Sequence, residues 1–193
     1  MQNPLSPEIW QQLHQGHQTL SAGDEKRLLK AARKAEPDTR ALCELLFWTG
    51  CRLSEAIALK RDHIDTTHCF VVIHTLKQRQ RPALRAVPVP KRLIRRLYAL
   101  PTAPDGRFWP YSRWTARRRL LPLYAAAGLT AGQGTSRTFR HSYNARAIRQ
   151  GLPDRVRRAL LGHQTQAANN RYGQLPGYEL RAFASRIWGR VAR

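Results

Sequence analysis

The pattern of apolar and polar residues divides the chain into helices and one β-hairpin. The β-rich segments 69–74 (CFVVIH) and 84–89 (LRAVPV) flank a basic stretch that contains one proline, which predicts a hairpin with a long basic tip. Elsewhere apolar residues recur at helical spacing, and Gly50 is predicted to cap the end of the helix at 39–50. The predicted helices span residues 21–34, 39–50, 54–60, 91–100, 112–128, 136–150, 153–161, 164–171 and 178–190. The pattern therefore predicts a mainly α fold with a small antiparallel β-sheet (α+β).

The two ends of the chain raise separate questions. Residues 1–20 are polar and glutamine-rich, which predicts an N-terminal arm ahead of one domain over residues 21–193. The last predicted helix carries an apolar stripe, and this stripe fits either the domain's own core or the surface of a neighbouring subunit. Tyr143 and Tyr178 are predicted to be core residues.

The composition of the chain indicates what kind of partner it binds. The 193 residues carry a formal net charge of +22, and the sequence pI is about 11.5. Residues 101–193 contain no lysine and only three acidic residues. Such a chain binds polyanions, so double-stranded DNA is the expected partner. The candidate DNA-binding residues lie in the hairpin tip and in the helix at 112–128: Arg79, Arg81, Arg113, Arg117 and Arg118.

Other classes of protein fit less well. The three cysteines lack metal-site spacing, and Cys43 and Cys51 lie in apolar segments typical of core thiols. No acidic cluster suited to Mg²⁺ is evident, so we expect no metal and no cofactor. Neither a signal peptide nor a membrane-spanning run is present in the sequence, which predicts a cytoplasmic, nucleoid-associated protein.

The residues with candidate chemistry lie in the C-terminal half. Arg137 and Arg140-His141 precede the tripeptide Leu161-Gly162-His163, and Tyr172 follows His163 by nine positions. Arginine binds phosphate through two parallel hydrogen bonds. A tyrosine hydroxyl can hold a phosphate covalently. Together these residue types indicate chemistry on a phosphodiester.

Five landmarks in order resemble the catalytic domain of the tyrosine recombinases, the phage integrase family. They are the segment 49–59 with Arg52 and Glu55, the hairpin with Lys77, the segment 137–141, the tripeptide 161–163, and Tyr172. The resemblance extends from about Leu20 to Ile187. The layout is similar to the short fimbrial phase-variation recombinases, so we expect no separate N-terminal DNA-clamping domain.

The resemblance implies a role for each landmark residue. Tyr172 would attack the scissile phosphorus and form a 3′-phosphotyrosine. Arg52 and Arg140 would stabilise the charge on the non-bridging oxygens. Lys77 would protonate the leaving 5′ oxygen, and His163 would bind the phosphate and assist proton transfer.

One position departs from the family pattern. Arg137 stands where the family usually has histidine, and arginine does not exchange protons near neutral pH. It can still bind phosphate, so the site either relies more on His163 and Lys77 or no longer cleaves DNA. Glu55 and His141 are expected to support the catalytic residues.

Three functions remain open from the sequence. The first is a site-specific recombinase that acts by inversion, resolution or integration, as a tetramer on paired sites, with an accessory DNA-bending protein or a partner recombinase. The second is a catalytically impaired DNA-binding regulator or accessory protein on the same fold. The third is a relaxing enzyme similar to type IB topoisomerases.

Overall fold

The computed structural model describes residues 19–75, 83–130, 132–162 and 177–188. Within these ranges, eight α-helices, one short 3₁₀ helix and a three-stranded antiparallel sheet surround one hydrophobic core, which confirms the predicted fold class. No helix in the described ranges is long and apolar enough to cross a membrane. The helices are α1 (Ala22–Ala32), α2 (Pro37–Thr49), α3 (Leu53–Ile57), α4 (Lys91–Tyr98), α5 (Arg113–Ala126), α6 (Ser136–Arg149), α7 (Asp154–Leu161) and α8 (Gly177–Trp188), and the strands are β1 (Ile64–Asp65), β2 (Phe70–Thr75) and β3 (Ala83–Pro88).

Helix α2 lies at the centre of the fold because it is apolar on nearly every side. It packs against α1, α3, α4, α5 and α6. Pro37 occupies its first turn, where a missing N–H costs nothing. Gly50 ends the helix in the left-handed conformation (φ 61), as predicted. A Cβ at Gly50 would lie 2.8 Å from the Cβ of Tyr143, so the close approach of α6 also requires glycine there. Cys43 and Cys51 are buried free thiols, as predicted.

The sheet forms one wall of the core, with strand order β1-β2-β3. Strands β2 and β3 are the predicted hairpin, with Val71 opposite Val87 and Ile73 opposite Arg85. These four residues are buried, and the sheet packs against α3, α7 and α8. Strand β1 was not predicted, since two residues are too short to show a periodicity. The hairpin tip, residues 76–82, lies outside the described residues.

Helix α3 is shorter than predicted and begins earlier. The prediction was residues 54–60, whereas the helix spans Leu53–Ile57 with Arg52 as its N-cap. It begins there because a Glu55 carboxylate oxygen accepts a hydrogen bond from the Arg52 backbone N–H at 3.0 Å. It ends early because Lys60 pairs with Arg107 in an isolated β-bridge. The helix predicted at 164–171 lies outside the described residues.

Helix α8 packs on its own domain, against β3, α6 and α7. Ala184 and Ile187 are buried, and an ion pair of 2.9 Å joins Glu179 to Arg155 on α7. Of the two alternatives that the sequence left open for this apolar stripe, the packing of α8 favours the domain's own core. The prediction for Tyr178 was wrong: it is 79% exposed because the stripe begins only at Leu180. The remaining stripe residues pack against the core: Leu180, Phe183 and Trp188.

Candidate active site and DNA-binding surface

Arg140 is held at the place where two helices end. Its Nη1 donates to the carbonyl of Gly50 after α2 at 3.1 Å, and its Nη2 donates to the carbonyl of Leu161 at the end of α7 at 2.6 Å. Helix C-termini carry partial negative charge and unpaired carbonyls, so they attract a cation. Both helices end at a left-handed glycine, Gly50 and Gly162. The guanidinium of Arg140 is therefore fixed by two backbone positions.

Arg52 is oriented by Glu55. The Arg52 Nη1 lies 2.8 Å from Glu55 Oε1, and the Arg52 backbone N–H donates to Glu55 Oε2 at 3.0 Å. The Glu55 side chain is fully buried, whereas a third of the Arg52 side chain is exposed. The carboxylate thus holds the buried part of Arg52 and leaves its other face open. Glu55 thus orients Arg52, and its supporting role in catalysis stays a prediction.

A third arginine, Arg85 on β3, joins this group and was missed from the sequence. Its Nη2 lies 2.6 Å from Glu55 Oε2, its Nη1 donates to Thr75 Oγ1 at 2.8 Å, and its Nε donates to the Leu160 carbonyl at 3.2 Å. Strand β3 alternates between inward and outward positions, and Arg85 occupies an inward one. A charged residue at an inward position of a strand was the signal available in the sequence.

The charges in this group do not balance. Arg52, Arg85 and Arg140 surround the single carboxylate of Glu55, and we call these four residues the site cluster. Burial, followed by repulsion from Arg52 and Arg85, lowers the pKa of Arg140 to about 10. Burial by itself would raise the pKa of Glu55, but Arg85 and Arg52 outweigh it and lower this pKa. The surplus positive charge suits the cluster to an anion such as a phosphodiester.

The other predicted site residues divide into two groups. Arg137 is exposed one turn before Arg140 on α6, and its side chain has no hydrogen bond or ion pair with another described residue. His141 is half-buried beside Arg140. Among the described residues no group of three His, Cys, Asp or Glu side chains is arranged to hold a metal ion. The remaining candidates lie outside the described residues, and their roles stay predictions: Lys77, Arg79, Arg81, His163 and Tyr172.

Helix α5 presents an exposed basic face. Ser112 caps its start by accepting a hydrogen bond from Thr115 N at 3.1 Å. The three predicted DNA-binding residues of this helix, Arg113, Arg117 and Arg118, are exposed. Trp114 is 64% exposed, and the Arg118 guanidinium lies over its ring at 4.6 Å. By contrast, Arg119 is paired with Asp38 at 2.7 Å.

The comparison with known proteins decides the family. Residues 18–176 match the model of the Phage integrase family. The chain belongs to the phage integrase family. The resemblance to the tyrosine recombinases is thereby confirmed. Tyrosine recombinase XerD of Mycobacterium tuberculosis (strain ATCC 25618 / H37Rv) is 31% identical to this family member over 158 residues, covering 74% of this chain and 49% of XerD. The chain thus spans about half the length of this curated relative.

Solved structures share the fold. The XerA recombinase superposes with a TM-score of 0.65 at 23% identity, over 89% of this chain and 65% of XerA. The XerH site-specific recombinase bound to its difH substrate superposes with a TM-score of 0.62 at 18% identity, over 77% of this chain and 47% of XerH. The chain therefore has the same fold as these recombinases.

Proposed function

We propose that the chain is the catalytic part of a site-specific tyrosine recombinase, which cleaves and rejoins double-stranded DNA through a 3′-phosphotyrosyl intermediate. The observation that carries this proposal is the site cluster. Arg52 and Arg140 belong to segments 88 residues apart in the sequence, yet they lie close enough for Arg52 to lower the pKa of Arg140. The two planar donors are fixed before any substrate binds, which is the preorganisation that a charged transition state requires.

The proposed reaction has two balanced steps. The phenol oxygen of Tyr172 bonds to the scissile phosphorus while the bond to the 5′ oxygen breaks; His163 receives the phenol proton, and Lys77 protonates the leaving oxygen. Arg52 and Arg140 stabilise the negative charge on the non-bridging oxygens in the transition state. In the second step a 5′ hydroxyl from the partner strand attacks the phosphotyrosine and gives its proton to Lys77, while the bond to the Tyr172 oxygen breaks and His163 returns a proton to that oxygen.

Arg137 would add positive charge to this site without exchanging protons. It precedes Arg140 by three positions on α6, so the two side chains lie on the same side of the helix. Its exposure supports a contact with a DNA phosphate. Proton transfer would then depend on His163 and Lys77.

DNA would be gripped by the basic face of α5 and by the hairpin tip with Arg79 and Arg81. The exposure of Arg113, Arg117 and Arg118 supports this role. The XerH structure that shares the fold contains a DNA substrate. Exchange of two duplexes needs a nucleophile on each cleaved strand, so we propose a tetramer on paired sites within the nucleoid. The tetramer would act together with an accessory DNA-bending protein or a partner recombinase.

The test is to trap the covalent intermediate. A library of nicked duplexes with randomised sequence is incubated with the protein, because a nick near the cleavage site lets the cut fragment leave and prevents religation. After denaturation, protein–DNA adducts are separated and their DNA is sequenced. Tyr172→Phe serves as the matched control, since it lacks only the attacking oxygen.

The outcomes separate the candidate functions. Adducts that share a sequence motif and disappear in Tyr172→Phe would support the recombinase. Salt-sensitive DNA binding without any adduct would overturn it in favour of a regulator that binds DNA but does not cleave. Relaxation of supercoiled plasmids that lack the motif would instead indicate a topoisomerase-like enzyme.

A further inference from the structure

Arg85 connects three segments that each lead to a candidate catalytic residue. Through Glu55 it reaches the segment that bears Arg52, through the Leu160 carbonyl it reaches the end of α7, and through Thr75 it reaches the base of the hairpin. In the sequence, His163 follows α7 by two positions and Lys77 follows Thr75 by two. One guanidinium therefore holds together three parts of the chain that are distant in sequence.

The chain leaving α7 also lies directly against Arg85. Gly162 has a left-handed backbone (φ 67), and a Cβ there would lie 2.9 Å from Arg85 Nη1 and 3.1 Å from Arg85 Cζ. No side chain fits between them. The guanidinium thus limits the position of Gly162 as well as that of Leu160.

The chemistry of the position calls for arginine. Its planar group directs hydrogen bonds to three acceptors on three segments, whereas a lysine ammonium offers a single centre. The side chain is only 7% exposed, so its charge needs a partner, and Glu55 supplies one at 2.6 Å. Glu55 in turn needs Arg85, because Arg85 is the strongest of the groups that keep its pKa low.

We infer that Arg85 is a positioning residue for the proposed cleavage reaction, one that acts through Glu55 on Arg52 and through Leu160 and Gly162 on the segment that leads to His163. This inference rests on the proposed function. Arg85 stays behind Glu55 and orders the groups that contact the phosphate. A displacement of about 1 Å in such groups can lower a rate on the order of 10²-fold.

Two substitutions separate the effect of the planar guanidinium of Arg85 from the effect of its charge. Arg85→Lys keeps a positive charge beside Glu55 but loses the planar set of donors, so we expect the rate of adduct formation to fall about 10²-fold with an unchanged pH profile. Arg85→Met removes the charge as well. Burial then raises the pKa of Glu55, and the acid limb of the pH–rate profile moves to higher pH.

The charged and titratable groups around Glu55 among the described residues are few. Arg52 and Arg85 contact it directly, while Arg140 and Cys51 interact with it through space. Burial raises the pKa of the Cys51 thiol to about 11, so this group stays neutral across the pH range of the test. His163, the proposed proton acceptor, also titrates in this range but is present in both variants. A shift of the acid limb that occurs in Arg85→Met and not in Arg85→Lys therefore belongs to Glu55.

The measurement is single-turnover adduct formation on a nicked duplex that wild type cleaves, between pH 5.5 and 8.5, with DNA affinity measured in parallel. Arg146→Lys is the matched control, since Arg146 is equally buried and pairs with Glu25 on another side of α6. We expect it to lower the melting temperature as much as Arg85→Lys does and to leave the rate within about threefold. If the Arg85 variants do not fold, Thr75→Val takes their place. It deletes one acceptor of Arg85, and we expect it to lower the rate of adduct formation on the order of tenfold.

The results distinguish this inference from the function on which it rests. If wild type forms no adduct, the proposed function fails and the inference fails with it. If wild type forms an adduct and the folded Arg85→Lys protein does so at the wild-type rate, only the role of Arg85 is overturned. Equal rate losses in Arg85→Lys and Arg146→Lys would also overturn it, because they would show a general effect of buried charge.

Discussion

Two groups of buried arginine and glutamate hold the helices together, and they differ in charge balance. In the first, which we call the packing pair, Arg146 of α6 meets Glu25 of α1 at 2.8 Å and also donates to the Phe47 carbonyl at 2.6 Å. Charge is balanced there one to one. In the site cluster, three arginines share one carboxylate. Burial raises the pKa of Glu25 despite Arg146, whereas Arg85 and Arg52 outweigh burial at Glu55 and lower its pKa.

The difference separates structure from function. A balanced buried pair needs no further partner, so it serves to join α1 to α6. In a cluster with surplus charge the arginines repel one another, and this repulsion from Arg52 and Arg85 adds to burial in lowering the pKa of Arg140. A bound anion would relieve the repulsion. Sequence position does not reveal this difference, since Arg140 and Arg146 lie on the same helix.

Loss of the packing pair should have the largest effect, and the effect should be on stability. Arg146→Ala leaves Glu25 buried without its partner, so we expect the free energy of unfolding to fall by about 3–5 kcal/mol. Urea unfolding at pH 7 measures it. Arg149→Ala, which removes an exposed arginine from the same helix, should change it by less than about 0.5 kcal/mol. Equal stability of Arg146→Ala and wild type would remove the distinction between the two groups.

Loss of a site arginine should instead affect the rate. We expect Arg140→Ala to slow adduct formation by about 10²–10³-fold, because one donor to the transition state is lost. Its stability loss should be smaller than that of Arg146→Ala, since removing Arg140 relieves its repulsion with Arg52 and Arg85. Single-turnover trapping and urea unfolding of the same preparation test both parts. A wild-type rate in Arg140→Ala would exclude the site cluster as the reaction centre.

The two glutamates should show opposite pH dependence of stability. The folded-state pKa of Glu55 is lowered, so its contribution is present above the unfolded value of about 4.3 and is lost as the pH falls toward the folded pKa. The folded-state pKa of Glu25 is raised, so its contribution is present below about 4.3 and is lost as the pH rises through the folded pKa. Urea unfolding of Glu55→Gln, Glu25→Gln and wild type between pH 3.5 and 7 gives each contribution by difference. If the contributions of Glu55 and Glu25 to the free energy of unfolding changed with pH in the same direction, the contrast between the site cluster and the packing pair would be wrong.

The smallest expected effect concerns surface arginines, which again differ in whether a carboxylate balances their charge. On α5, Arg117 is exposed with no described ion pair, whereas Arg119 is paired with Asp38. We expect Arg117→Ala to reduce the slope of log affinity against log salt by about 1, and Arg119→Ala to leave it unchanged. Gel-shift titrations at several salt concentrations measure both. Equal changes in the two variants would show that pairing does not predict which arginines contact DNA.

Local signals in the sequence were enough for the framework of the fold. The hairpin follows from its alternating strands and the end of α2 from Gly50, and both were predicted correctly. Arg52 and Arg140 were named from the family resemblance, and the structure brings them together. Arg85 was missed because its partners Glu55 and Leu160 lie 30 and 75 residues away in the sequence. Periodicity tells which face a residue occupies but not which distant residue it meets.

The two carbonyl contacts of Arg140 have a consequence for the opening motions of the domain. Helix α7 has only eight residues, and the last turn of so short a helix would ordinarily fray. Arg140 ties that turn to the end of α2, the most deeply buried helix. The amide protons in the last turn of α7 should therefore exchange with solvent as slowly as those at the end of α2, as members of one cooperative unit.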